Sequence, residues 1–328
     1  MSQDNDDFLQ NLSGTQGASV TSLSQLWAKK YVQNLVEIDN VKKGRANTAQ
    51  GLLYSLRSSG VNAWLVTESM LAREVQRHRI DPGLIDPWEI SKDIHDIYKK
   101  LLSAYANDVI PRRFSLLISS DIGRIRRKWT KQDPRLISFV SMQFHHTGQE
   151  LVGSISLKEK ILFGEYLKVI DDHLYMPLQR AYEAAAQHDY ESPPLAVVRH
   201  ILPVSTKIAK EICQRVIEVY PNYRSKSGLL SDPSLQISSI RDVEMFQVYL
   251  WVCVLEGNMA AIQQELFPLC LMLYPTLRVS WELVRLMLYL MGKKIANLLG
   301  QEQATIFQPY FRELWSMFSP EVLPAIEP

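Results

Sequence analysis

The feature that most constrains the fold is a run from Val243 to Leu255 that is apolar on nearly every side. A helix at a protein surface shows a polar face, and strands are usually shorter than this run. A helix that is apolar all round is buried. The run therefore predicts a helix inside a core of other helices, and with it an all-α protein.

The residues just before this run offer a helix start. Ser239 has the side chain of an N-cap, and Asp242 follows it at the spacing of a capping box, so that both satisfy backbone N–H groups. This pattern predicts a helix that begins near Ser239, with Arg241 and Asp242 at a solvated helix end. The cap does not account for Arg241.

Length and composition bound the protein class without naming a partner. The chain has 328 residues and a formal net charge of +1, enough for two domains but with no overall charge to favour one kind of ligand. The cysteines lack CxxC spacing and lie in apolar helical patterns, which predicts buried, reduced thiols and a reducing compartment. They are Cys213, Cys253 and Cys270.

The polar N-terminus and the most apolar segment are the two candidates for a targeting signal or a membrane span. Met1 to Gly17 is polar and acidic, which fits neither a signal nor a transit peptide, so residues 1–20 are predicted to be a disordered tail and the protein cytoplasmic. The segment most similar to a membrane span is Leu266 to Leu290. Prolines and charges interrupt it, so it is predicted to be core; they are Pro268, Pro275, Arg278, Glu282 and Arg285.

Residues 21–150 read as a helical N-terminal region. The first helix is amphipathic, and turns are predicted at Gly60-Val61-Asn62 and at Asp81-Pro82-Gly83. The run from Phe114 to Ile118 is short and apolar, so a strand and a buried helix both remain open. The apolar positions of the first helix are Leu23, Leu26, Trp27, Tyr31, Leu35 and Val36.

A second helical region is predicted for residues 151–328. Ser156 and Glu159 have the spacing of a capping box for its first helix, and Pro177 must end or kink that helix because proline removes a donor and clashes with the preceding turn.

A basic segment is the clearest charged feature. Its partner-binding candidates are Arg124, Arg126, Arg127, Lys128 and Trp129, and Arg112, Arg113 and Lys131 extend it. Such a cluster is most simply a solvated face; an acidic protein partner ranks second, and nucleic acid stacked on the tryptophan ranks third.

Other groups of polar residues give no positive sign of chemistry. Neighbouring residues on a helix point to different sides, so neither His145-His146 nor Asp171-Asp172-His173 is expected to hold a metal ion alone. The chain also lacks a nucleophile elbow, a phosphate-binding glycine loop and an HExxH pair. We therefore expect no enzyme and no metal site.

Several segments in order resemble a phycobiliprotein. Ser239-Ile240-Arg241-Asp242 is similar to the Cys-x-Arg-Asp run to which that family attaches its bilin, and the buried helix after it ends at Gly257-Asn258. Pro309-Tyr310-Phe311 is similar to a Pro-Tyr-Phe run in the family's final helix. Ile208 to Pro221-Asn222 is similar to the helix that precedes the attachment segment, with its proline-containing loop. The resemblance covers about Pro193 to Phe318.

The resemblance implies a globin-like domain without covalent pigment. Ser239 stands where the family has the attachment cysteine, and a hydroxyl is far less nucleophilic than a thiolate. Arg241 and Asp242 match the residues that pair with the bilin propionate and pyrrole nitrogens, so the cofactor is either none or a tetrapyrrole held without a covalent bond. A haem would need an axial ligand, and Ala261 to Pro275 offers only Cys270.

The function implied is that of a non-enzymatic cyanobacterial accessory or regulatory protein. It would act through protein partners, phycobilisome components or a second copy, in phycobilisome assembly, turnover or attachment, including at the cytoplasmic face of the thylakoid. A globin-type sensor that binds a tetrapyrrole or another apolar molecule is the alternative, and a bilin chaperone or lyase is a third hypothesis. Fold alone is a weak warrant for any of them.

Overall fold

A computed structural model describes residues 17–324, with side chains from residue 44 onward. The N-terminal part is a series of helices joined by short turns, and two of those turns are 3-10 helices at Pro82–Leu84 and Pro134–Leu136. The helices are α1 (Gly17–Arg77), α2 (Pro87–Ala106), α3 (Pro111–Gln132), α4 (Ile137–Gly153) and α5 (Leu157–Tyr175).

The C-terminal part continues in the same style. A short antiparallel hairpin, β1 (Arg224–Ser225) and β2 (Gly228–Leu229), separates two of its helices, and a π-helical turn at Ile262–Leu266 leads into another. The helices are α6 (Leu178–Ala185), α7 (Pro193–Ile201), α8 (Ser205–Val219), α9 (Pro233–Glu256), α10 (Phe267–Leu277), α11 (Trp281–Leu298) and α12 (Gln301–Met317). The all-α prediction is confirmed.

Helix α9 is the centre of the C-terminal core. From Val243 to Leu255 every residue except Glu244 is buried, and α6, α7, α8 and α12 pack around it. The helix ends at Gly257, whose φ of 69° is a left-handed conformation that glycine adopts without a steric penalty. The predicted central helix is thus confirmed.

A second glycine shows how tightly the neighbouring helices approach. A β-carbon at Gly292 of α11 would lie 2.0 Å from Cζ of Phe311 in α12. The ring of Phe311 fills the space that a side chain at 292 would need, so this crossing requires glycine.

Local signals predicted the ends of α5. Helix α5 ends at Tyr175, two residues before Pro177, as predicted, and Ser156 precedes its first residue. The hydroxyl of Ser156 donates to the Glu159 carboxylate at 2.8 Å and makes no capping hydrogen bond to the helix backbone, so Ser156 is at the predicted position but the predicted capping box does not form. Asp86 caps α2 by accepting from the backbone of Trp88 and Glu89 at 2.9 and 3.1 Å.

Two predictions about local structure are corrected or completed by the structure. The turn predicted at Gly60-Val61-Asn62 does not occur, because α1 continues through it with Leu56, Ala63 and Leu71 buried, and this burial outweighs the roughly 1 kcal/mol cost of a helical glycine. The open segment Phe114 to Ile118 is helical and lies in α3.

The N-terminal predictions fall mostly outside the described side chains. Of the predicted disordered tail, residues 1–16 lie outside the described part of the chain, whereas residues 17–20 belong to the backbone of α1. The amphipathic face predicted from Leu23 to Val36 lies on this helix, where no side chain is described. The boundary predicted at residues 150 and 151 stays a prediction.

Among the described residues, no helix combines the length and the apolarity needed to cross a bilayer. The segment Leu266 to Leu290, predicted to be core, supplies buried residues of α10 and α11.

Candidate functional site

A cavity of about 510 Å³ lies beside the N-terminal half of α9. One set of walls comes from α8, the hairpin, α10 and α11, and the facing wall comes from α1, α4 and α5. Half of the lining residues are aliphatic or methionine: Met70, Met142, Ile212, Val216, Ile217, Leu230, Leu235, Val243, Met245, Leu269, Leu273, Leu277, Val279, Leu283, Val284 and Met287. This size and lining are those of a small-molecule site.

Arg241 lies at this cavity but its charge is already paired. Its Nη1 donates to Oδ2 of Asp171 in α5 at 2.9 Å, and its guanidinium lies 4.2 Å from the ring centroid of Tyr175. Both side chains of the ion pair are nearly buried, with 12% of Arg241 and 15% of Asp171 exposed. The predicted solvated helix end is therefore wrong at this residue.

A histidine completes the ion pair from a third helix. Nδ1 of His145 in α4 lies 3.2 Å from Oδ2 of Asp171. Burial alone would raise the pKa of Asp171, but His145 and Arg241 together hold it below its ordinary value. The arginine, aspartate and histidine thus form one charged cluster that ties α4 and α5 to α9.

Asp242 has a different environment from its neighbour Arg241. It is partly buried, it lines the cavity, and its carboxylate forms no hydrogen bond with a residue of the described chain. Burial raises the pKa of Asp242 to about 6, against the opposing effect of Arg241. The cavity therefore contains a carboxyl group without a partner, which is uncommon for a buried polar group.

Ser239 lies inside α9 and not at its start. The helix begins at Pro233, and the hydroxyl of Ser239 donates to the carbonyl of Leu235 at 2.9 Å, one turn earlier. The predicted N-cap and capping box are wrong, because Pro233 and Asp232 provide an earlier start. Ser239 nevertheless lines the same cavity as Arg241 and Asp242.

Two of the predicted buried cysteines also line the cavity. Cys213 and Cys270 are 7% and 1% exposed, and Cys253 is fully buried, so the prediction of buried free thiols is confirmed. Burial raises the pKa of Cys213 to about 12 and that of Cys270 well above its ordinary value. Both are therefore protonated at neutral pH and poor nucleophiles or metal ligands.

His146 and Lys226 also line the cavity. His146 of α4 is half-buried, and burial, His145 and Lys226 lower its pKa to about 4, so its imidazole is neutral. Lys226 is exposed in the hairpin turn, and its backbone N–H donates to the carbonyl of Leu277 at 2.9 Å.

Residues 175–317 match the family model described as "Phycobilisome protein". The C-terminal half carries a phycobilisome protein domain. No curated protein and no solved structure matches the chain. The predicted resemblance is confirmed for this part of the chain, and with it the globin-like, all-α character of the domain.

The cavity therefore lies at the edge of the phycobilisome domain. Ser239, Arg241 and Asp242 belong to the matched residues, whereas His145, His146 and Asp171 precede them. Because His145 and His146 are adjacent in a helix, the sequence predicts that they point to different sides. In the structure they diverge as expected, one toward Asp171 and the other toward Lys226.

A second junction joins the phycobilisome domain to α3. Arg126 is nearly buried and donates to Tyr249 at 2.6 Å, to Glu265 at 2.8 Å and to the carbonyl of Leu174. Glu265 lies in the π-helical turn and also accepts from Arg180 at 2.5 Å. A polar cavity of about 480 Å³ lies at this junction, and Arg126, Arg180 and Glu265 in its wall are paired with one another.

Glu256 completes this network. Arg180 donates to both of its carboxylate oxygens, at 2.6 and 2.7 Å, which is a bidentate pair. The chain Arg126, Glu265, Arg180, Glu256 thus connects the N-terminal region, the π-helical turn and the end of α9.

The basic segment is used mainly within the chain. Arg124 pairs with Asp121, Arg127 with Glu183 at 3.0 Å, and Lys128 with Glu89 and Asp93 at 3.0 Å. Trp129 is 1% exposed and its indole N–H donates to Asp93 at 2.8 Å. Arg126 and Trp129 are therefore not available to a partner, which corrects the prediction for these two residues. Partner binding by Arg124, Arg127 and Lys128 stays a prediction.

Within the described residues, no group of three His, Cys, Asp or Glu side chains is arranged to hold a metal ion. His173 instead contacts the Val169 carbonyl through Nδ1 at 2.9 Å. The cavity, its unpaired Asp242 and the position of His146 and Lys226 in its wall were not predicted, because they depend on contacts between helices far apart in sequence.

Proposed function

We propose that this protein is a non-enzymatic accessory or regulatory protein of the phycobilisome, whose phycobilisome domain works without a covalent pigment and through protein partners. The observation that carries the proposal is the pairing of Arg241 with Asp171. By the family resemblance, the guanidinium of Arg241 would pair with a pigment propionate. Here the carboxylate of Asp171 pairs with it instead.

The attachment position supports the same conclusion. Ser239 carries a hydroxyl that already donates to the backbone within its own helix. The thiols that line the cavity have raised pKa values, so neither Cys213 nor Cys270 is a ready substitute. Loss of attachment chemistry together with a retained fold favours a role in association.

The first test is purification from a bilin-producing host. We expect no visible absorbance band after denaturation and no zinc-induced fluorescence of the denatured gel band. Covalent fluorescence would contradict the proposal. Ser239→Cys is the matched variant: pigment on this variant alone would show that only the missing thiol prevents attachment.

The second test addresses the partner. Affinity purification of the full chain from a phycobilisome-containing extract should recover phycobilisome components, and extracts from cells without phycobilisomes are the control. Recovery of the same proteins from both extracts would count against a phycobilisome role.

A second candidate function is that of a sensor that binds a tetrapyrrole or another apolar molecule without a covalent bond. The specific observation in its favour is the cavity of about 510 Å³ with the unpartnered carboxyl of Asp242. A spectrum of the native protein separates the two functions, since a bound tetrapyrrole absorbs visible light and is released on denaturation.

A further inference from the structure

We propose that the cavity binds an elongated apolar monocarboxylic acid, with the acid group at Lys226 and His146 and the hydrocarbon tail among the aliphatic side chains. The inference rests on the second candidate function, the ligand-binding sensor, and names its ligand class. It uses His146 of α4 and Lys226 of the hairpin, which both line the cavity.

The walls favour a flexible tail over a flat ring system. Half of the lining residues are branched aliphatic or methionine side chains, which adapt to a chain of methylene groups. Three tyrosines also line the cavity, and they are far fewer than the aliphatic and methionine side chains. The guanidinium of Arg241 covers the Tyr175 ring, and the hydroxyl of Tyr223 donates to the backbone carbonyl of Arg278 at 3.0 Å. The third is Tyr274, whose ring centroid lies 5.9 Å from that of Trp281.

The charges give the ligand a direction. Arg241 is neutralised by Asp171, so it offers little attraction to an added anion. The pKa of Asp242 is about 6, so at neutral pH its carboxylate would repel a second carboxylate. Lys226 forms no ion pair with a residue of the described part of the chain. An acid group is therefore directed away from Asp242 and toward the hairpin.

The hairpin end is suited to hold a carboxylate. Lys226 lies close enough to His146 to lower the pKa of the imidazole, so a ligand anion between them would meet one cation and one neutral ring. Ser225 and Ser227 flank the lysine and also line the cavity. Lys226 is exposed, so an acid group beside it keeps partial contact with water.

The test measures binding of cis-parinaric acid, a fluorescent polyene acid, to the full chain. Its methyl ester keeps the tail and lacks the charge. We expect the acid to bind roughly tenfold more tightly than the ester, the size of one charge-assisted contact. Equal affinity for the two would overturn the proposal.

Variants locate the two ends. Lys226→Glu should weaken binding of the acid by roughly tenfold or more and leave the ester unchanged, whereas Lys293→Glu makes the same charge change at an exposed residue outside the cavity and should have no effect. Ile217→Trp should reduce binding of both ligands by filling the cavity, with its thermal transition checked for folding. An unaltered affinity in Lys226→Glu would refute the proposed acid site.

Biliverdin is the third test ligand. It distinguishes a failure of the proposed acid site from a failure of the sensor function on which the proposal rests. Binding of biliverdin without binding of parinaric acid overturns the acid proposal and leaves the sensor function standing. Binding of neither ligand overturns both, while the protein-partner function is judged by its own affinity purification.

Discussion

The two junctions between the N-terminal helices and the phycobilisome domain are built on opposite principles. At the polar junction, Arg126, Glu265, Arg180 and Glu256 satisfy one another. At the apolar cavity, Nε of Arg241 and Nε2 of His146 are buried and have no hydrogen-bond partner in the described part of the chain. The Asp242 carboxyl also has no partner there.

This difference distinguishes a junction with a structural role from a junction that could bind a ligand. Buried ion networks are stable only when their members are satisfied, so a complete network is well explained as a structural connection. An incomplete one beside a cavity has room for a further group. The polar junction therefore holds the two parts of the chain together, and the cavity is where a ligand would act.

The largest effect should follow from breaking the polar junction. Glu265→Gln leaves Arg126, only 6% exposed, without its carboxylate, which should lower the free energy of unfolding by about 3–5 kcal/mol. Urea denaturation measures this. Glu183→Gln is the matched control, because its ion pair with Arg127 is about half exposed and should contribute below about 1 kcal/mol. Similar losses in both variants would contradict a structural role for the buried network.

A smaller loss is expected at the cavity junction. Asp171→Asn removes the carboxylate from Arg241, but the adjacent cavity admits water that can solvate the guanidinium, so the loss in unfolding free energy should be about 1–3 kcal/mol. Asp172→Asn, in the same helix, is the control. Burial raises the pKa of the Asp172 carboxyl, so its replacement should change the unfolding free energy little. A larger loss at Asp171 than at Glu265 would reverse the comparison.

The pH dependence of stability should reveal two opposing groups at the cavity. The folded-state pKa of Asp242 is about 6 against an ordinary value of 3.8, so the folded protein binds more protons between these values and stability falls as the pH rises through them. The pKa of His146 is about 4 against 6.5, so its contribution to stability is lost as the pH falls through that window.

Thermal unfolding of single variants between pH 4 and pH 7 separates these contributions. Asp242→Asn should leave a Tm that rises more steeply with pH than in the wild type, and His146→Leu should leave one that rises less steeply or falls. Parallel profiles in both variants would show that neither group titrates in this range.

The smallest effect on stability is expected on the exposed part of the basic segment. Arg124→Glu together with Arg127→Glu should change the unfolding free energy by no more than about 1 kcal/mol, since the replaced ion pairs are exposed. If these residues bind an acidic partner, the same variant should lose that partner in a pull-down that also weakens with added salt, with nuclease treatment as the control for nucleic acid. Retention of the partner would show that these residues do not bind it.

The sequence predicted the elements whose signals are local. The apolar run from Val243 to Leu255 could only be a buried helix, and Pro177 ended α5 where predicted. Local signals failed where packing outweighed them: α1 continues through Gly60, and α9 begins six residues before Ser239 because Pro233 is itself a good first residue. Both failures concern boundaries and not the kind of element.

The site was predicted in part. Arg241 and Asp242 were singled out by the family resemblance, and the structure places both at one cavity. Their charge states were not predictable, because Asp171 lies 70 residues from Arg241 and nothing in the local pattern links them. The same holds for Arg126 and Glu265, which are 139 residues apart.

The sequence by itself determined the helical class, the buried thiols and the phycobilisome resemblance, because these depend on periodicity, on composition and on the order of short motifs. Tertiary structure alone decided which charges are paired. Arg126 and Arg241 both looked like surface cations; each became a buried partner of a distant carboxylate, since a charge removed from water is stable only where another part of the chain supplies the opposite charge.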